Sequence, residues 1–80
     1  MIKRVVFYNL EAEMLRAKLI RAELAAMINK SVSSINSKFN GKTEFTLGEM
    51  EKIKGKLEEF NKQTYTLDYL FERENKAIRK

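Results

Sequence analysis

The chain contains no cysteine, no histidine, no proline and no tryptophan. Without cysteine there is no disulfide staple. Without histidine as well, every Cys/His zinc site is excluded, and so is the commonest general base at neutral pH. The three glycines do not form a phosphate-cradling loop, and the carboxylates are not spaced as a catalytic set. The expectation is a protein that is not an enzyme and uses no metal or cofactor. The absence of proline over 80 residues predicts a mostly helical chain with short connections. Long apolar runs are missing too. The stretch Met1 to Tyr8 has charge followed by apolar residues, but Asn9-Leu10-Glu11 ends it too soon for a signal peptide or a membrane span. A cytoplasmic location with no membrane association is therefore expected. One absence is local: no acidic residue falls between Glu23 and Glu44, although the chain has 11.

Eighty residues allow one domain, and 44% apolar with 34% charged residues is a globular rather than a disordered composition. A net charge of +5 favours an anionic partner, which can be nucleic acid, an acidic protein or a lipid surface. The acid-free stretch also carries all four serines of the chain, Ser31, Ser33, Ser34 and Ser37, within seven residues. A segment without negative charge and rich in small hydrogen-bonding side chains suits contact with polyphosphate.

Residues 1–8 are rich in β-branched and aromatic types and read as a short strand or extended arm, pairing with a second subunit, or as a leader packed on the core. Asn9 fits an N-cap, with Glu11 and Glu13 in the first turn where the helix dipole favours them. Leu10, Met14 and Ala17, flanked by Leu15 and Leu19, predict a helix over about 10–18. A second helix over about 21–28 turns Leu24, Ala25 and Ile28 inward, Ala25 being small enough for a close helix crossing. Asn29 then suits a turn that needs positive φ. Ser31 caps a helix over 32–39, and Gly41 can end it in the left-handed conformation. Thr46-Leu47-Gly48-Glu49 is a capping box that starts a helix with the stripe Leu47, Met50, Ile53 and Leu57, ending near Phe60. Thr66 caps a last helix from Leu67, and the polar tail 73–80 is expected to fray.

Leu24-Ala25, the turn at Asn29, Ser31, Ile35 and Asn40-Gly41-Lys42, followed by Phe45-Thr46-Leu47 and Leu67-Asp68-Tyr69-Leu70-Phe71, resemble the Cro/repressor (XRE-type) helix-turn-helix family, and the run from Phe39 to Phe45 resembles small regulators of Gram-positive phages or prophages. The resemblance covers about residues 9–72, with 1–8 as an arm. It departs from the family at Ile20, where the second helix usually has a Thr or Ser cap, at Asn29, usually glycine, and at Lys30, usually apolar. It implies an all-α, five-helix, lambda-repressor-like DNA-binding domain, acting in a bacterial or phage-infected cell as a homodimer on a near-palindromic operator. It also implies that the helix over 32–39 enters the major groove of double-stranded DNA. Base-contacting positions then fall on Val32, Ser33, Asn36 and Ser37, and backbone-contacting positions on Arg21, Lys30, Ser31, Lys38, Asn40, Lys42 and Thr43.

Each of these residues also has a plainer reading. Val32 fits a helical stripe with Ile35 and Phe39 and so fits the core. The serines fit caps or solvent, and the cations fit an ordinary charged surface. No long bidentate Arg or Gln falls on the reading face, so operator shape is expected to carry part of the specificity. The rival function is a helical protein-interaction module with an antirepressor-type or antitoxin-type partner. Glu49, Glu51, Glu58 and Glu59 read as helix-surface carboxylates paired with lysines.

Overall fold

Five helices and one antiparallel pair of two-residue strands make up residues 5–75, the part of the chain that the computed structural model describes. In order they are β1 (Val5–Val6), α1 (Tyr8–Ala17), α2 (Arg21–Met27), α3 (Val32–Phe39), α4 (Leu47–Asn61), α5 (Leu67–Leu70) and β2 (Glu74–Asn75). Val5 pairs with Asn75 and Val6 with Glu74. The partner of the N-terminal strand is thus the far end of the same chain. The expected arm and tail meet each other in residues 5–6 and 74–75, while their outer portions, 1–4 and 76–80, lie outside the described residues.

Each helix contributes to one core. Leu10 of α1, Leu24 of α2, Ile35 of α3, Ile53 and Leu57 of α4 and Leu70 of α5 are all completely buried, each such side chain contributing about 1.5–3 kcal/mol. Phe7 is buried as well and meets Phe39, Phe45 and Phe71 edge-on, with ring centroids 5.9, 5.6 and 6.4 Å away. Residue 7 therefore belongs to the folded body rather than to a separate arm. One member of the expected stripes is not inward: Leu47 faces outward, as do Leu15, at 79% exposure beside the α1 stripe, and Phe60 near the end of α4. For Leu15 the reason is angular, since Leu10 and Met14 set the inner side of α1 and the next residue is turned by about 100°.

Helix starts follow the expected chemistry at three places. Ser31 Oγ accepts from Ser34 N–H (3.1 Å), and Thr66 Oγ1 from Tyr69 N–H (3.0 Å). Thr46 and Glu49 bond reciprocally (3.0 and 3.2 Å). Asn9 does not cap α1, which begins at Tyr8, two residues before the expected start, with Phe7 at the cap position. Its amide instead donates to the Tyr69 carbonyl (2.9 Å) and to Glu72 (3.3 Å), tying α1 to the end of α5.

Three helix exits share one geometry. A left-handed residue, Lys18, Asn29 or Gly41 (φ 59, 61 and 83°), is followed by a backbone N–H that reaches five residues back. The bonds are Leu19 to Met14, Lys30 to Ala25 and Lys42 to Ser37, at 2.9, 2.8 and 2.9 Å. Asn29 and Gly41 are readable because their types favour that conformation. Lys18 and Lys62 (φ 55°) are not.

Gly55 sits mid-way along α4, exposed, with nothing within 4 Å of where a Cβ would stand. Gly55→Ala is expected to stabilise the protein by about 1 kcal/mol, read as a higher urea midpoint at unchanged slope. A lower midpoint would contradict the open space around it. Among the described residues no helix is long and apolar enough to cross a membrane.

Candidate functional site

The acid-free stretch folds into the end of α2, the turn through Asn29, all of α3 and the loop that follows. α3 is anchored through Ile35, Lys38 and Phe39, which are buried. By helical geometry the opposite side carries Ser33, Ser37 and Asn40, with Val32 and Asn36 on the flank toward α2. The side chains of Ser33, Ser37 and Asn40 make no hydrogen bond among the described residues. Val32 is 46% exposed, so it stands outside the core stripe that its spacing also fitted. The angle of α3 to α2 is fixed by buried Ala25 and by the left-handed exit at Asn29.

Exposed cations and hydroxyls bracket this row. Lys30 and Ser31 lie at the N-terminal end of α3, Lys42 and Thr43 just past its C-terminal end. Lys42 makes no ion pair among the described residues. Ser31 has committed its oxygen to capping the helix. The bordering acids all have partners: Glu11 pairs with Arg21 itself (3.4 Å), Glu23 accepts from the Ile20 N–H (2.9 Å) and Glu44 pairs with Arg73 (3.3 Å).

Two expected contact residues do other work. Lys38 is only 8% exposed. Its Nζ lies 3.2 Å from Glu49 and donates to the Glu44 carbonyl at 3.0 Å, above the Phe45 ring. It is a buried strut joining α3 to the start of α4, not the exposed backbone contact that the resemblance implies. Burial pushes the Glu49 carboxyl up, but the Thr46 N–H and Lys38 outweigh it and hold the group below the ordinary carboxylate range. Lys30 adds to this at longer range.

Arg21 is half-engaged as well. Its guanidinium stacks on Phe39 (4.2 Å to the centroid), donates to Asn36 Oδ1 (2.8 Å) and pairs with Glu11. The resemblance implies separate roles for Arg21 and Asn36, and the bond between them is not visible in their spacing of 15 residues.

Away from α3 lies a polar cluster that no motif announced. Glu13, 4% exposed, accepts from Tyr65 (2.6 Å), Tyr69 (2.8 Å) and Asn61 (3.3 Å), and pairs with Arg16 (3.2 Å). The two tyrosine rings stack with centroids 6.0 Å apart. Every buried side-chain polar atom of the described residues has a partner, so the cluster reads as a structural lock. A second surface feature is an open groove of about 860 Å³ lined by the apolar Phe7, Phe45, Met50 and Phe71 and by the charged Glu44, Asp68, Glu72 and Arg73, with Arg73 paired to Glu44.

Comparison with known proteins returned no match: no protein-family model, no curated protein and no solved structure aligns with this chain.

Proposed function

We propose that this chain is a sequence-specific, double-stranded-DNA-binding transcription regulator of repressor or Cro type. In this reading α2 and α3 form a helix-turn-helix within a lambda-repressor-like domain, and α3 lies in the major groove. The observation that supports it most is the outer side of α3. There Ser33, Ser37 and Asn40 present uncommitted polar groups, on a segment from which acids are absent between Glu23 and Glu44. A helix with its side chains is about 10–12 Å across, close to the width of the major groove. Serines keep this one narrow. Hydroxyls and amides read base edges, Val32 suits a thymine methyl, and Lys30, Lys42, Thr43 and Arg21 suit phosphates.

Duplex binding is tested by fluorescence anisotropy with a pool of random duplexes across salt concentrations. The two named cations without an ion pair among the described residues, Lys30 and Lys42, give an expected slope of log K against log salt of roughly −2 for a monomer and −4 for a dimer. A protein that ignores duplexes even in dilute buffer overturns the proposal. Lys42→Ala is expected to weaken binding about equally on all sequences and to flatten the slope by about 0.9 per protomer. A loss confined to one preferred sequence would show that Lys42 reads bases.

The rival reading, a protein-interaction module, draws on the groove, where Asp68 and Glu72 remain beside the Glu44–Arg73 pair and the apolar lining suits a basic, amphipathic peptide. Binding of such a peptide without any duplex affinity would favour it.

A further inference from the structure

The contact between Arg21 and Asn36 bears on which base α3 selects. An unrestrained asparagine offers one acceptor and two donors, and pairs with adenine by accepting from N6 and donating to N7. Asn36 is not unrestrained. Its Oδ1 lies 2.8 Å from Arg21 Nη1. A guanidinium has donors only, so the amide is obliged to turn its oxygen toward Arg21. Arg21 is in turn held by the buried Phe39 ring at 4.2 Å and by Glu11 at 3.4 Å. The amide N–H groups of Asn36 make no hydrogen bond among the described residues. Asn36 follows Val32 by one helical turn and Ser33 by three residues, on the α2 side of the outer row.

We propose that Arg21 is a positioning residue that makes Asn36 a donor-only reader, selecting guanine over adenine at one position of each DNA half-site. Guanine presents two acceptors, O6 and N7, to the two N–H groups of the amide. Adenine presents one acceptor beside an N6 donor that meets no oxygen. The inference rests on the DNA-binding reading above. It differs from that reading's own role for Arg21, a phosphate contact, which would act alike on every sequence.

The test is selection of bound duplexes from a random pool, read by sequencing, for the wild type, Asn36→Ala and Arg21→Met. In the wild type one position, identified because its preference vanishes in Asn36→Ala, is expected to be guanine, favoured over adenine roughly tenfold. In Arg21→Met the same position is expected to move to adenine. Adenine at that position in the wild type overturns the inference. So does an Asn36→Ala profile unchanged at every position. An Arg21→Met protein that binds all sequences more weakly with unchanged preference also overturns it, and leaves Arg21 as a phosphate contact. Should Arg21→Met fail to fold, the wild type and Asn36→Ala decide between guanine and adenine by themselves. A wild type that enriches no sequence at all overturns the DNA-binding reading, and this inference with it.

Discussion

Lys38→Met is expected to cost the fold about 3–5 kcal/mol, against a total of about 4–12 kcal/mol for a domain of this length. Methionine keeps most of the volume and removes the charge. What it leaves behind is the Glu49 carboxylate, whose side chain is 11% exposed and whose partner at 3.2 Å was Lys38. It also leaves the Glu44 carbonyl without its donor. The loss is that of an uncompensated buried charge, so it should shrink when the charge is removed as well. Glu49→Gln keeps the capping box, because glutamine at this position still reaches back to the Thr46 N–H. The double variant Lys38→Met/Glu49→Gln is therefore expected to be more stable than Lys38→Met alone, with a coupling energy of about 1–3 kcal/mol. Urea unfolding of the four proteins measures this cycle. A Lys38→Met protein within about 1 kcal/mol of the wild type would mean that the pair contributes no more than a surface salt bridge.

The same substitution separates two explanations of any lost DNA binding. Lys42→Ala removes an exposed cation and should leave the urea midpoint where it was. Lys38→Met should lower the midpoint first and affect binding only through it. Both are lysines in one acid-free run, and residue type alone gives them the same role.

What the sequence did contain was position. Lys38 stands three residues after Ile35 and one before Phe39, on the inward stripe of α3, and helical periodicity alone puts it against the core. The capping box had already named Glu49 as the first-turn carboxylate of α4. The missing step was their meeting, which requires knowing that α4 starts beside the end of α3. The signals that read correctly were local ones: the three side-chain caps, the turn at Asn29, the exit at Gly41 and the inward set Leu24, Ala25, Ile28 and Ile35. Those that did not read depend on partners far along the chain. Asn9 looked like a cap because its type suits one, yet its amide is used 60 residues away. Residues 5–6 looked like a strand without a partner because the partner, 74–75, has no strand-like composition of its own. At the candidate site, the outward placing of Ser33, half-buried Ser37 and Asn40 follows from the stripe. The link from Arg21 to Asn36 requires the packing of α2 on α3.

Glu13 is the second place where charge inside the fold decides stability. Glu13→Ala is expected to cost about 2–4 kcal/mol at neutral pH. It removes the acceptor of the Tyr65 hydroxyl, which is 7% exposed and has little access to water. Tyr69 is half-exposed and can turn to solvent, so it adds less. The pH dependence follows from the same atoms. Burial raises the Glu13 carboxyl, but the two tyrosine hydroxyls, Arg16 and Asn61 together overcome it and bring the group below its ordinary 4.5. A carboxyl held low when folded binds a proton more readily when unfolded. Its contribution is complete above about 4.5 and is lost as pH falls through the lower folded value, at up to about 1.4 kcal/mol per pH unit. Glu49 adds a second such group. The tyrosines run the other way. The Tyr69 hydroxyl is raised above 10 chiefly by its bond to Glu13, and Tyr65 by burial and then by Glu13, so their contribution is present below about 10 and declines as pH climbs through the raised values. Thermal unfolding of the wild type between pH 2.5 and 11 is thus expected to show a plateau with a fall at each end. In Glu13→Ala the plateau should be lower and both falls shallower, so that the two proteins converge toward pH 3. If the acid fall instead keeps its full steepness in Glu13→Ala, the proton uptake belongs to the other carboxyls held low, Glu49 and Glu58, and the tyrosine-bound carboxylate acts through packing rather than charge.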